Sequence, residues 1–136
     1  MPNPITNPPV PSPVRPSAAA SKKINLFQHS HEFESYAAGH TIFREGDAAD
    51  RMYVVIEGSV EVTIGGRSVR LVEAGDPLGE MALIDEASRS ATATALTGCR
   101  LAPITSRRFQ FLVQQSPVFA LQLMRVMSER LRQRDH

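Results

Sequence analysis

The stretch GEMALIDEASRSATATA, residues 79–95, sets a glycine and a carboxylate ahead of a short apolar turn. An arginine, a serine and a run of alanine and threonine follow. If Gly79 lies where a strand turns into a short helix, the glycine lets a ligand approach the backbone closely. The first N–H groups of that helix, near Met81, then lack intrahelical partners and attract an anion. Arg89 offers a planar fork of donors that matches two phosphate oxygens. Ser90 adds a hydroxyl, and Ala91 leaves its own N–H unobstructed. Glu80 repels phosphate and accepts instead from hydroxyls, as an acidic residue does for a ribose in dinucleotide sites. Together these residue types describe a pocket for a ribose carrying one phosphate, and a small cyclic one would fill a jelly-roll pocket. The structural alternative is a plain ion pair between Glu80 and Arg89 that joins two loops.

Other chemistry is weaker. His29, His31 and His40 invite a metal, but no histidine on the later strands completes a ligand set, so no metal site is expected. Cys99 is the single cysteine, which excludes a disulfide framework or a multi-cysteine cluster and suits a reducing compartment. It reads as a small buried hydrophobe. Glu80 has no nucleophile or second acid beside it, so the site does not read as catalytic.

The elements that must position these residues follow from pattern. In 136 residues, 42% hydrophobic and 21% charged, there is one domain's worth of globular chain. Residues 1–22 hold seven of the ten prolines and almost no large apolar groups, which predicts a disordered tail. Ordered structure is expected over 23–136, with strands about 33–104 and helices about 105–134. INLFQHSHEFESY, from Ile24, reads as a helical segment that turns extended. Val60, Val62 and Ile64 alternate with Glu61 and Thr63, as in a half-buried strand. Gly65–Gly66 suits a tight hairpin, and Gly46–Asp47 a turn. Thr105 or Ser106 caps a helix through Gln115, and Ser116–Pro117 stops it and starts another. Phe119, Leu123, Val126, Met127 and Leu131 then fall on one helical stripe. Short strands, glycine turns and helices at the ends predict a mainly β fold, an antiparallel jelly roll with an N-terminal helical segment and two C-terminal helices. No apolar run reaches bilayer length, and the N-terminus lacks a secretory pattern, so the expected location is cytoplasmic.

GDPLGEMALIDEASRSATATA resembles the phosphate-binding cassette of cyclic-nucleotide-binding domains, and IFREGDAADRMYVVIEGSVEV is similar to the strands upstream of it in that family. Gly46, Asp47 and Gly58 stand at the family's turn positions, and the resemblance covers about residues 25–134. It implies that Glu80 accepts from the ribose 2′-hydroxyl. Arg89 and Ser90 would hold the cyclic phosphate, helped by backbone N–H groups near Met81 and Ala91. Gly79 would give close approach, and Val62 and Val72 would contact the purine. The final helix would act as a lid, with Arg130, Arg132 and Arg134 as candidates for the base contact. Leu78 stands where a phenylalanine is common, and Ser88 where many members have proline.

The resulting expectation is a non-enzymatic, stand-alone sensor of cAMP, with cGMP second because Ser90 can hydrogen-bond a guanine as well as a phosphate. It would need no cofactor beyond that ligand. The sequence stops at His136 without a helix-turn-helix, so no direct DNA contact is expected, and no membrane contact. Its partner is a protein of unknown identity, or a second copy joined through the C-terminal helix. The alternative is a scaffold that keeps the fold without ligand. Charge is split: residues 32–86 hold twelve acids and four arginines, whereas 87–136 hold two acids and eight arginines. The basic C-terminal part could meet phosphates or an acidic partner, but a solvated helix face with internal pairing to the acidic half is the simpler reading.

Overall fold

A computed structural model describes residues 23–24 and 26–134, and the expected proline-rich tail lies outside the described residues. Eight strands and three helices follow in chain order. They are β1 (Glu34–Tyr36), β2 (Thr41–Phe43), β3 (Arg51–Glu57), β4 (Ser59–Ile64), β5 (Arg67–Glu73) and β6 (Pro77–Leu78), then the short helix α1 (Glu80–Ile84). After these come β7 (Thr92–Ala95), β8 (Cys99–Thr105), α2 (Ser106–Gln115) and α3 (Pro117–Arg134). The strands form two four-stranded antiparallel sheets, ordered β1-β8-β3-β6 and β2-β7-β4-β5. This is an antiparallel β jelly roll followed by two C-terminal helices. In the N-terminal segment the described residues 26–29 form a turn, closed by the Ser30 N–H on the Phe27 carbonyl at 3.0 Å.

Strand β3 is buried at four consecutive positions, Met52 to Val55, because both of its faces are covered. Met52 and Val54, with Ala102 and Ile104 of β8, pack with Leu112, Phe119 and Leu123 of the helices. Tyr53 and Val55, with Cys99 and Leu101 of β8, pack with Val60, Val72, Ala93 and Ala95 of the other sheet. The layers are therefore helices, first sheet, second sheet. Small Ala93 and Ala95 let the two sheets approach closely beside the cassette.

Local signals set the joints. Gly65 and Gly66 have φ of 58° and 80° between β4 and β5, the double positive φ that a tight hairpin with native twist needs. The Thr105 hydroxyl accepts from the Arg108 N–H at 3.2 Å and caps α2. The Ser116 hydroxyl accepts from the Phe119 N–H at 3.2 Å and starts α3 on Pro117. Of the expected stripe on α3, Phe119, Leu123 and Val126 are buried, and Met127 packs at the edge of the core. Leu131 departs from it: this residue is 63% exposed and sits at the rim of a cavity instead. No described helix is long and apolar enough to cross a membrane.

Candidate functional site

A cavity of about 350 Å³ opens between β4, β5, the cassette and α3. The chain brings Gly79, Glu80, Met81, Arg89, Ser90 and Ala91 to its wall, with Val62 and Val72 beside them. Gly79 follows β6 with φ 77°, which turns the chain into α1. It offers no side-chain cap, so Glu80 and Met81 open the helix with an unclaimed first turn.

Arg89 is only 6% exposed. Its Nη1 donates to the Gly79 carbonyl at 3.0 Å and its Nη2 to the Arg51 carbonyl at 2.6 Å. The guanidinium lies over the Phe43 ring, 4.0 Å from the centroid. Its Nε is buried without a partner. Burial away from water holds the Arg89 pKa below the ordinary arginine range. The Arg51 carbonyl is itself fixed, because the Arg51 side chain bonds Glu34 at 2.9 Å and Asp50 at 2.9 Å. The bond to Asp50 raises the Arg51 pKa.

Glu80 is 5% exposed and pairs with Arg130 of α3, Nη1 to Oε2, at 3.1 Å. Arg130 Nη2 donates to the Pro77 carbonyl at 2.9 Å. The other carboxylate oxygen, Oε1, is buried without a partner. The Glu80–Arg89 ion pair entertained from sequence is not among the bonds formed: each of the two residues is held by other groups. Of the three lid candidates, Arg130 lines the cavity. Arg132 turns to its own helix, bonding Ser128 at 3.0 Å and Glu129 at 2.6 Å. The Arg134 side chain lies outside the described residues.

Sequence reasoning missed Phe43, the Arg51 carbonyl and Met127. Phe43 carried one usable signal, a large aromatic just before the Gly46–Asp47 turn. Among the described residues no group of three His, Cys, Asp or Glu side chains is arranged to hold a metal ion.

Chemically, the cavity is lined by Arg89 and Glu80, each with one buried polar atom lacking a partner, and by mostly apolar side chains. That combination suits a ligand with an anion, a hydroxyl and a flat apolar part. Comparison with known proteins agrees. The family described as cyclic nucleotide-binding domain matches residues 33–116. A CRP-like cAMP-activated global transcriptional regulator of Mycobacterium tuberculosis is 32% identical over 88% of this chain and 53% of its own length. A cGMP-dependent protein kinase of Toxoplasma gondii is 41% identical over 52% of this chain and 7% of its own length. The crystal structure of the Thermus thermophilus catabolite activator protein superposes with a TM-score of 0.66 at 33% identity, covering 76% of this chain and 52% of that one. The chain thus spans about half the length, or far less, of the proteins it matches. With the family model matching residues 33–116 and the fold superposing on that of a relative, the chain belongs to the cyclic nucleotide-binding domain family.

Proposed function

We propose that this chain is a cyclic nucleotide sensor that binds cAMP in preference to cGMP and reports occupancy through its C-terminal helices. The observation that carries this reading is the pair of unpartnered buried atoms, Arg89 Nε and Glu80 Oε1, at one cavity. A buried donor or acceptor left unsatisfied costs about 1–3 kcal/mol, so a ligand that pairs with both atoms gains affinity from them. A cyclic phosphate satisfies Arg89 and Ser90, with the N–H groups of Met81 and Ala91. The ribose 2′-hydroxyl satisfies Glu80. Val62 and Val72 offer the purine an apolar wall. The preference for cAMP leans on the relative that is described as cAMP-activated and aligns over most of this chain.

Transmission has a physical route. Glu80 already holds Arg130 of α3, so a hydroxyl arriving at Glu80 changes what α3 is bonded to. Ligand shifts the helix only by the difference in its affinity for the two helix positions. A protein partner or a second copy then reads α3, where Leu121 and Met124 are exposed. No catalytic step is assigned to the site.

Calorimetric titration with cAMP and cGMP tests the reading. Binding of at least one is expected, and Arg89→Ala should remove most of the affinity. No heat from either nucleotide up to about 1 mM, where affinity is already marginal, refutes it. Unchanged binding by Arg89→Ala would place the phosphate elsewhere.

A further inference from the structure

Strand β2 meets β7 at Thr41–Thr94 and at Phe43–Ala93, two steps on one strand against one on the other. The extra residue makes a bulge at Ile42. Simple alternation would send Ile42 and Phe43 to opposite faces. With the bulge, both pack against the core between the sheets, and Phe43 reaches the cavity wall. There its ring lies under the Arg89 guanidinium at 4.0 Å. The slot is closed from a third side by Gly79. A Cβ on that residue would collide with Arg89 Nη1 and come within 3.2 Å of Phe43 Cε2.

We propose that Phe43 is a positioning residue for the anion-holding arginine: the bulged end of β2 sets its ring under Arg89 and fixes the guanidinium plane. The inference rests on the reading of Arg89 as phosphate ligand. Two bonds, to the Gly79 and Arg51 carbonyls, locate the guanidinium but leave it free to tilt about their common line. The ring removes that freedom. A ring 4.0 Å from the guanidinium carbon claims none of its N–H groups, which a carboxylate partner would. Nε has no partner, and Nη1 and Nη2 donate to the Gly79 and Arg51 carbonyls, so the guanidinium keeps a donor to offer an anion. The stack also supplies electrostatic support without neutralising the cation. It therefore leaves the charge for the ligand, although burial has already made that charge expensive.

The test compares two ligands that share base and ribose and differ in the phosphate: cAMP and adenosine, titrated against the full chain. Phe43→Leu should weaken cAMP about tenfold and leave adenosine within about twofold, and Phe43→Tyr should restore cAMP binding. Equal losses for both ligands, or no loss for cAMP, overturn the proposal, since the first marks a merely structural role. A second readout needs no ligand. The Arg89 Nε–H resonance of the nucleotide-free chain, assigned with Arg89→Lys, should show a ring-current shift and slow solvent exchange, and Phe43→Leu should lose both. An unchanged resonance overturns the stack. Failure of the site reading looks different: the wild-type chain binds no cyclic nucleotide, while the resonance still responds to Phe43→Leu.

Discussion

Arg89 and Glu80 carry opposite charges in one cavity and do not neutralise each other. Each is instead held by neighbours that leave one polar atom unmatched. This arrangement depends on Gly79, which supplies both the left-handed turn and the room for Arg89. Gly79→Ala forces a side chain into φ 77° and a methyl against Arg89 Nη1. The variant should lose about 2 kcal/mol in denaturant unfolding, from left-handed strain plus the clash. It should also bind cAMP more weakly, because Arg89 must move. Wild-type stability and affinity in Gly79→Ala would show that the slot is not tight. Much of the site was legible because its residues sit within one short segment, 79–91, where type and spacing are visible together. The partners were not legible. Arg130 is 50 positions from Glu80, and Arg51 is 38 from Arg89, and only the fold brings them together.

At the scale of elements, the sequence carried what local chemistry decides. Gly65–Gly66 joined two strands, Thr105 capped α2, and Ser116–Pro117 divided the helices. Elements decided by tertiary contact were less visible. Strand β6 is two residues long and exists because Pro77 and Leu78 pair with Val54 and Tyr53 of β3. The bulge in β2 has no local signature, since Thr41-Ile42-Phe43 reads as ordinary strand. Leu131 keeps helical spacing with the core stripe, yet the core ends near Met127 and the cavity begins. Helix α3 spans 18 residues and carries Arg130 to Glu80, so its start matters to the site as well as to stability. Ser116→Ala removes the acceptor for the Phe119 N–H and should cost about 1 kcal/mol, read as a lowered midpoint in thermal unfolding. Ser116→Asp should recover most of it, because an aspartate caps the same N–H groups and favours the positive end of the helix. A midpoint unmoved by Ser116→Ala would mean that α3 is held by packing alone.

The whole molecule holds its two tyrosines, the only ones in the chain, in one network at the end of the first sheet. Tyr36 donates to Glu34 Oε1 at 2.7 Å, and Glu34 Oε2 receives Arg51 at 2.9 Å. Tyr53 is 5% exposed within the core between the sheets. Burial raises the pKa of both phenols, and the bond to Glu34 raises that of Tyr36 further. A phenol whose pKa is higher folded than unfolded stabilises the fold fully below the unfolded value, about 10, and loses that contribution as pH rises above it. Above that point the unfolded chain binds fewer protons than the native one, so stability falls with pH. The slope is at most about 1.4 kcal/mol per pH unit from Tyr53, and less from half-buried Tyr36, where water screens the difference. With no tryptophan in the chain, tyrosinate absorbance in the near ultraviolet reports these two groups alone. It should therefore rise together with loss of circular dichroism in an alkaline titration, as one cooperative step. Saturating cAMP should move that step to higher pH, because a ligand bound to the native state stabilises it against every route of unfolding. Tyrosinate appearing at pH 10 in protein that keeps its full dichroism would show that the network is open to water, and would remove this coupling between sheet end and ligand site.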